Sequence, residues 1–172
     1  MNAPVKHLVL VGLMGAGKSS VGRVLARKLD RPLLDSDEMV EARTGRTVRD
    51  IWATDGEAAF RLLETDTLVD AIDAEEPSII AAAGGVVLSE ANRTALASSD
   101  VHVVWLLADV DLLVDRVRNG MHRPLLDDDP EGTLRAMHRD REALYTEVAD
   151  AIVSVDHRTV HDVAQAVLRC AG

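Results

Sequence analysis

Short runs of consecutive apolar residues alternate along this chain with longer stretches whose apolar positions recur every three or four residues. The run HLVLVG at 7–12 predicts a strand buried on both faces, and 17–29 has the spacing of an amphipathic helix. A second short strand is predicted at 32–35, followed by helical spacing over 37–43, 48–53 and 57–73. The third strand is SIIAA at 78–82 and the fourth VHVVWLL at 101–107. Helices follow at 109–118 and 131–148, then a fifth strand at 151–155 and a closing helix at 160–168. Strands that are apolar throughout, with helices between them, predict an α/β fold. Its core is a doubly wound five-stranded parallel sheet with helices on both faces.

In such a sheet ligands bind beyond the carboxyl ends of the strands. Residues just after Gly12, Asp35, Ala82 and Leu107 are therefore the first candidates for function. One stretch breaks the alternation. Residues 119–130 hold Gly120, Pro124, Pro130 and the run Asp127, Asp128 and Asp129, and they read as a mobile lid between two helices. The acidic run itself reads as a solvated loop tip.

With 172 residues and no repeat, linker or low-complexity segment, the chain is expected to form a single domain, 1–172. The segment 37–73 is expected to be its acceptor-binding helical part. Charge narrows the partners. Nineteen Lys and Arg against 29 Asp and Glu leave a net charge of −10, the wrong balance for a nucleic-acid binder. An anionic ligand would need cations gathered locally against that field. A lone cysteine, Cys170, allows no internal disulfide, and six scattered histidines offer no zinc spacing. Lys6 and the apolar stretch after it imitate a short signal peptide, but the motif that follows accounts for them better. No apolar run reaches the roughly 20 residues that span a bilayer. A soluble, cytoplasmic monomer that binds no membrane is the expectation.

Residues 12–19, GLMGAGKS, match G-x-x-x-x-G-K-[ST] between the first strand and the first helix. Glycines let this backbone curl until successive N–H groups point at phosphate oxygens, and the helix adds its positive end. The motif predicts a P-loop kinase fold. Gly15, Ala16, Gly17, Lys18, Ser19 and Ser20 would lie along a nucleotide. Lys18 would reach the β- and γ-phosphates, and Ser19 would ligate magnesium. An exposed lysine on a Gly-rich turn is the plainer alternative, and the flanking strand and helix speak against it.

Asp35 and Asp37 flank Ser36 at the end of the second strand. On an extended chain, spacing two turns both carboxylates to one side. One could hold Mg2+ while the other orients or deprotonates an acceptor hydroxyl; alternatively, Asp37 only caps the next helix. Arg61 has Glu57 four residues before it and Glu64 three after, so both carboxylates can fix its guanidinium. Taken alone, that pattern also describes a solvated ion pair. Arg141 and Tyr145 share a helix face in the same way. Arg123, in HRPLL at 122–126, could bring a cation onto the transferring phosphoryl group.

Together these segments resemble the shikimate kinase family over nearly the whole chain. Residues 35–37, DSD, resemble its D-x-D pair, and GEAAFRLLE at 56–64 resembles its G-E-x-x-F-R-x-x-E segment. RPLL at 123–126 is similar to its lid, and REALY at 141–145 to its R-x-x-x-Y element. The resemblance implies ATP-dependent phosphorylation of the shikimate 3-hydroxyl, on the route to aromatic amino acids. By position it implies Lys18 and Arg123 on phosphates, and Ser19 and Asp35 on magnesium. It places Asp37, Arg61 and Arg141 on shikimate, with Gly84 and Gly85 presenting backbone N–H there. Arg116 and Arg158 would border adenine. Ala83 departs from the family, which shows three consecutive glycines from this position. Either its methyl packs away from the acceptor or it crowds the site, and the intact pair Gly84 and Gly85 favours the first.

Two other readings stand beside this one: a P-loop kinase of a different small polyol acid, and a non-catalytic nucleotide-binding protein. The latter has no need of the acceptor-side carboxylate Asp37. A nucleotide or nucleoside kinase would need aromatics to hold a base, and the chain has four: Trp52, Phe60, Trp105 and Tyr145.

Overall fold

In the computed structural model the described residues are 5–118 and 129–171. Arg123, and all of the expected lid but Asp129 and Pro130, lie outside them. Five parallel strands form one sheet: β1 (His7–Val11), β2 (Leu33–Asp35), β3 (Ile79–Ala81), β4 (Val101–Leu107) and β5 (Ala151–Ser154), in the order β2-β3-β1-β4-β5. Every residue of β1 is buried, as a central strand covered on both faces requires. The helices are α1 (Lys18–Leu29), α2 (Ser36–Thr44), α3 (Val48–Asp73), α4 (Glu90–Leu96), α5 (Val110–Arg118), α6 (Pro130–Val148) and α7 (Val160–Ala171). They cover both faces of the sheet, with α1 packed on α7 and β3, and α4 and α6 packed on β4. No described helix is long and apolar enough to cross a membrane.

Register determines what meets at the carboxyl edge. Leu10 pairs with Ala81, and Ala81 with Asp35, so β1, β3 and β2 end side by side. The loop after β1, the carboxylate ending β2 and residues 82–85 after β3 therefore share one rim. A separate small core of Val40, Ile51 and Phe60, with Trp52 and Leu63 against it, ties α2 to α3 beside that rim.

The helical stretches 48–53 and 57–73 form the two parts of α3, which breaks at Gly56, whose φ of 84° and ψ of 172° lie outside helical values. The hydrophobic pattern and the structure differ in two places. A 3₁₀ turn (Val86–Leu88) and α4 stand where no element was expected. Helix α4 has only seven residues, too few for a periodicity to show, and it is held by local polar contacts. The Ser89 side chain caps it by accepting from Asn92 N–H, while the buried Asn92 amide donates to Val86 O at 2.9 Å. Finally, Asp37 is not on extended chain. Helix α2 begins at Ser36, and the carboxylate that caps it is Asp35, which accepts Asp37 N–H at 3.1 Å. The alternation argument for a shared side does not apply to this pair.

Candidate active site

The loop after β1 reverses sharply, with φ of 83° at Gly15 and 94° at Gly17. A side chain is strained in this left-handed region, and glycine is not. Gly12 is held by contact as well, since a Cβ there would lie 2.7 Å from Leu106 O on β4. Lys18 opens α1 and folds back over the loop, its ammonium donating to Gly12 O at 2.8 Å and Leu13 O at 3.0 Å. Arg116 reaches over from α5 to donate to Gly15 O at 2.7 Å. At the start of α1, Ser19 Oγ donates to Asp35 Oδ2 at 2.5 Å. Asp35 thus caps α2 with one oxygen and meets the phosphate loop with the other.

Across the rim, Arg61 on α3 is gripped from both directions along its helix. Glu57 accepts from it at 3.2 Å, and Glu64 accepts at 2.9 and 3.0 Å. Its guanidinium carbon lies 5.4 Å from the Trp52 ring centre and 5.6 Å from that of Phe60. Glu64 is only 1% exposed, so this is no surface pair. Burial pushes its carboxyl above the usual range, and Arg61 pulls it back down. Gly85 completes the cradle: a Cβ there would come within 2.0 Å of Arg61 Nη1.

Arg141, also buried, extends from α6 to donate to Gly84 O at 3.1 Å. Tyr145, one turn further on, donates to the same oxygen at 2.6 Å and stacks on Trp105 at 5.4 Å between ring centres. Burial pushes the Tyr145 hydroxyl up to about 12. Ala83 donates its N–H to Ser36 Oγ at 3.3 Å, and its φ is not in the left-handed region. The backbone strain that would have demanded glycine is therefore absent at Ala83.

A cavity of about 800 Å³ runs along this edge. Gly15, Ala16, Gly17, Lys18, Ser19, Ser20, Asp35, Asp37, Arg61, Gly84, Gly85, Arg116, Arg141 and Arg158 all line it. Of the expected binding and catalytic residues, only Arg123 lies outside the described structure. Met14, Val48, Arg49, Trp52 and Glu64 line the same space. The sequence marked Glu64 only as a partner of Arg61 and Trp52 only as one of four aromatics, not as parts of a cavity wall. For Arg49 no sequence signal existed beyond its place before the turn at Gly56.

A phosphate loop at the head of a parallel sheet, facing clamped arginines and a carboxylate across one cavity, defines a P-loop small-molecule kinase. The family profile for shikimate kinase matches residues 14–171. The chain belongs to the shikimate kinase family. It is 44% identical over 165 residues to the shikimate kinase of Symbiobacterium thermophilum, covering 94% of each chain. To that of Burkholderia lata it is 41% identical, over 96% of this chain and 89% of the relative. The solved shikimate kinase from Acinetobacter baumannii in complex with shikimate superposes with a TM-score of 0.90 at 37% identity. That match covers 96% of this chain and 92% of the other.

Proposed function

We propose that this protein transfers the γ-phosphoryl group of ATP to the 3-hydroxyl of shikimate, giving shikimate 3-phosphate and ADP. The observation that carries the reading is the single cavity with a phosphate loop at one end and the clamped Arg61 and Arg141 at the other. In a chain of net charge −10, that concentration of cations suits two anionic ligands.

The roles follow from position. Loop N–H groups and Lys18 take the β- and γ-phosphates, with Arg116 and Arg158 toward the base. Arg61 and Arg141 take the acceptor carboxylate, a planar anion matched to guanidinium forks. Gly84 and Gly85 let the acceptor come close to backbone. Asp37 accepts the proton of the attacking hydroxyl as the new oxygen–phosphorus bond forms and ADP departs. Ser19 Oγ and Asp35 Oδ2 are hard oxygen donors beside the phosphate loop. Such a pair would suit Mg2+, a hard cation that prefers oxygen ligands. Bound there, the ion supplies charge neutralisation on the phosphates. We place Arg123 with Lys18 among the groups that stabilise the transferring phosphoryl, on family resemblance alone.

A coupled ADP-release assay with ATP, magnesium and a panel of acceptors tests the reading. Shikimate should turn over, while gluconate, aminoshikimate and nucleoside monophosphates should give rates lower by about two orders of magnitude in kcat/KM. Preferred use of gluconate would replace the acceptor assignment, and ADP release with none of them would withdraw it. The polyol-acid and non-catalytic alternatives have no observation in their favour.

A further inference from the structure

Arg49 lies in the first turn of α3 and lines the acceptor end of the cavity, one turn before Trp52. Its surroundings make it unlike the other arginines of that segment. Arg43 pairs with Asp70, Arg46 with Asp55 at 2.6 Å, and Arg61 with Glu57 and Glu64. Arg49 is exposed and, among the described residues, has neither a hydrogen bond nor an ion pair. Its position gives it no local reward either. The amino end of a helix is already positive, so a cation there is electrostatically unfavourable. The cap of this helix is supplied by Thr47, which accepts from Asp50 N–H at 3.1 Å.

We propose that Arg49 is a capture residue: its guanidinium draws the anionic acceptor to the mouth of the cavity, from which Arg61 and Arg141 take over. The proposal rests on the reading that the acceptor carries a carboxylate. The physical need comes from the rest of the molecule. With a net charge of −10 the protein repels a small anion at long range, and although cations gather deeper in the cavity, Asp35, Asp37, Glu38 and Glu64 also stand in its wall. Arg61 is paired with two carboxylates of its own, Glu57 and Glu64, so its field is largely cancelled outside the cluster. An unpaired cation at the rim keeps its full field, and a field at a cleft mouth raises the local concentration of the oppositely charged ligand. Such an effect appears in kcat/KM, is screened by salt and leaves the chemical step unchanged.

The test compares wild type with Arg49→Gln and Arg49→Glu, with Lys28→Gln as a control. Lys28 is in the last turn of α1 and does not line the cavity, and Lys28→Gln changes the net charge by the same single unit as Arg49→Gln. At about 20 mM ionic strength we expect kcat/KM for shikimate to fall about threefold in Arg49→Gln and about tenfold in Arg49→Glu. The deficit should close to within about twofold at roughly 0.5 M salt, where the Debye length is only a few ångströms. kcat, KM for ATP and the Lys28→Gln variant should stay within about twofold of wild type, and so should kcat/KM for the uncharged carboxamide analogue of shikimate. Variants equal to wild type at low salt overturn the proposal. A deficit that persists at high salt, or one shared by the carboxamide or by ATP, overturns it too, because each points to packing or to the nucleotide side. Failure of the wild type to use shikimate at all is a separate result that overturns the parent reading.

Discussion

Eight consecutive residues, 12–19, build the phosphate end of the cavity, whereas the proposed acceptor end is assembled from side chains between residues 37 and 141. The first end is backbone: glycines at positive φ, N–H groups at a helix start, and one lysine folded onto the carbonyls of its own loop. The second is side chains held by other side chains. Arg61 depends on Glu57, Glu64 and the space left by Gly85, and Arg141 depends on a carbonyl it shares with Tyr145. A backbone site is rigid because its conformation is local. A side-chain site is only as rigid as the packing behind it, so it can be disturbed from several directions.

The sharpest way to break the comparison is to remove one reacting group from each end. Asp37→Asn should cost about 10²–10⁴ in kcat, the usual worth of a positioned base, and leave ATP affinity within a few fold. Lys18→Met should cost roughly a hundredfold or more through the phosphates, with acceptor binding retained. Calorimetry of ATP and of shikimate binding to both variants decides the matter. If ATP binding collapses in Asp37→Asn, the two ends are not separate sites.

Tyr145 tests whether burial governs the acceptor end. Its hydroxyl ionises near 10 in the unfolded chain and near about 12 in the folded one. Between those values only the unfolded chain loses the proton, so stability falls as pH rises through 10 and levels off above 12. The loss contributed by this one group is about 2–3 kcal/mol. Tyr145→Phe removes it while keeping the stack on Trp105, so its urea-denaturation stability should decline less steeply than that of wild type from pH 10 upward. Parallel declines in the two proteins would mean that Tyr145 is not protected from solvent.

Gly85→Ala places a methyl where the Arg61 guanidinium lies, 2.0 Å from Nη1. The flexible end of the arginine gives way before the fold does. KM for shikimate should rise about tenfold, equivalent to one charge-assisted hydrogen bond, with KM for ATP unchanged. An unchanged KM for shikimate would place Arg61 outside the acceptor contacts. The smallest effect belongs to Ala83→Gly. With φ already outside the left-handed region, this change should move kcat/KM for shikimate by less than about fivefold. A gain of two orders of magnitude would show a site shaped around another acceptor.

How far each end could be read from sequence follows the same division. The phosphate loop was fully legible, since its spacing, flanking strand and helix are neighbours in the chain. The five strands were legible because buried parallel strands are apolar along their whole length. Helix α4 was not, because seven residues held by Ser89 and Asn92 leave no period to detect. The Asp35 and Asp37 pair was half legible. Its place at the sheet edge was right, but its geometry is that of a helix start, where Asp35 is the cap. Arg61 with its two glutamates could be seen as a triad, though not whether it was solvated.

The sequence by itself determined the fold class, the phosphate loop and the separation of α3 into two stretches at Gly56. These depend on hydrophobic period and on backbone preferences within a few residues. Only the tertiary structure decided that Glu64 is buried, that Gly85 lies against Arg61, and that Gly84 O serves both Arg141 and Tyr145. Those facts depend on which strand ends beside which. The pairing of Asp35 with Ala81 and of Ala81 with Leu10 brings residues from three distant segments to one rim. Long-range packing of this kind sets burial and therefore charge, and no local pattern encodes it.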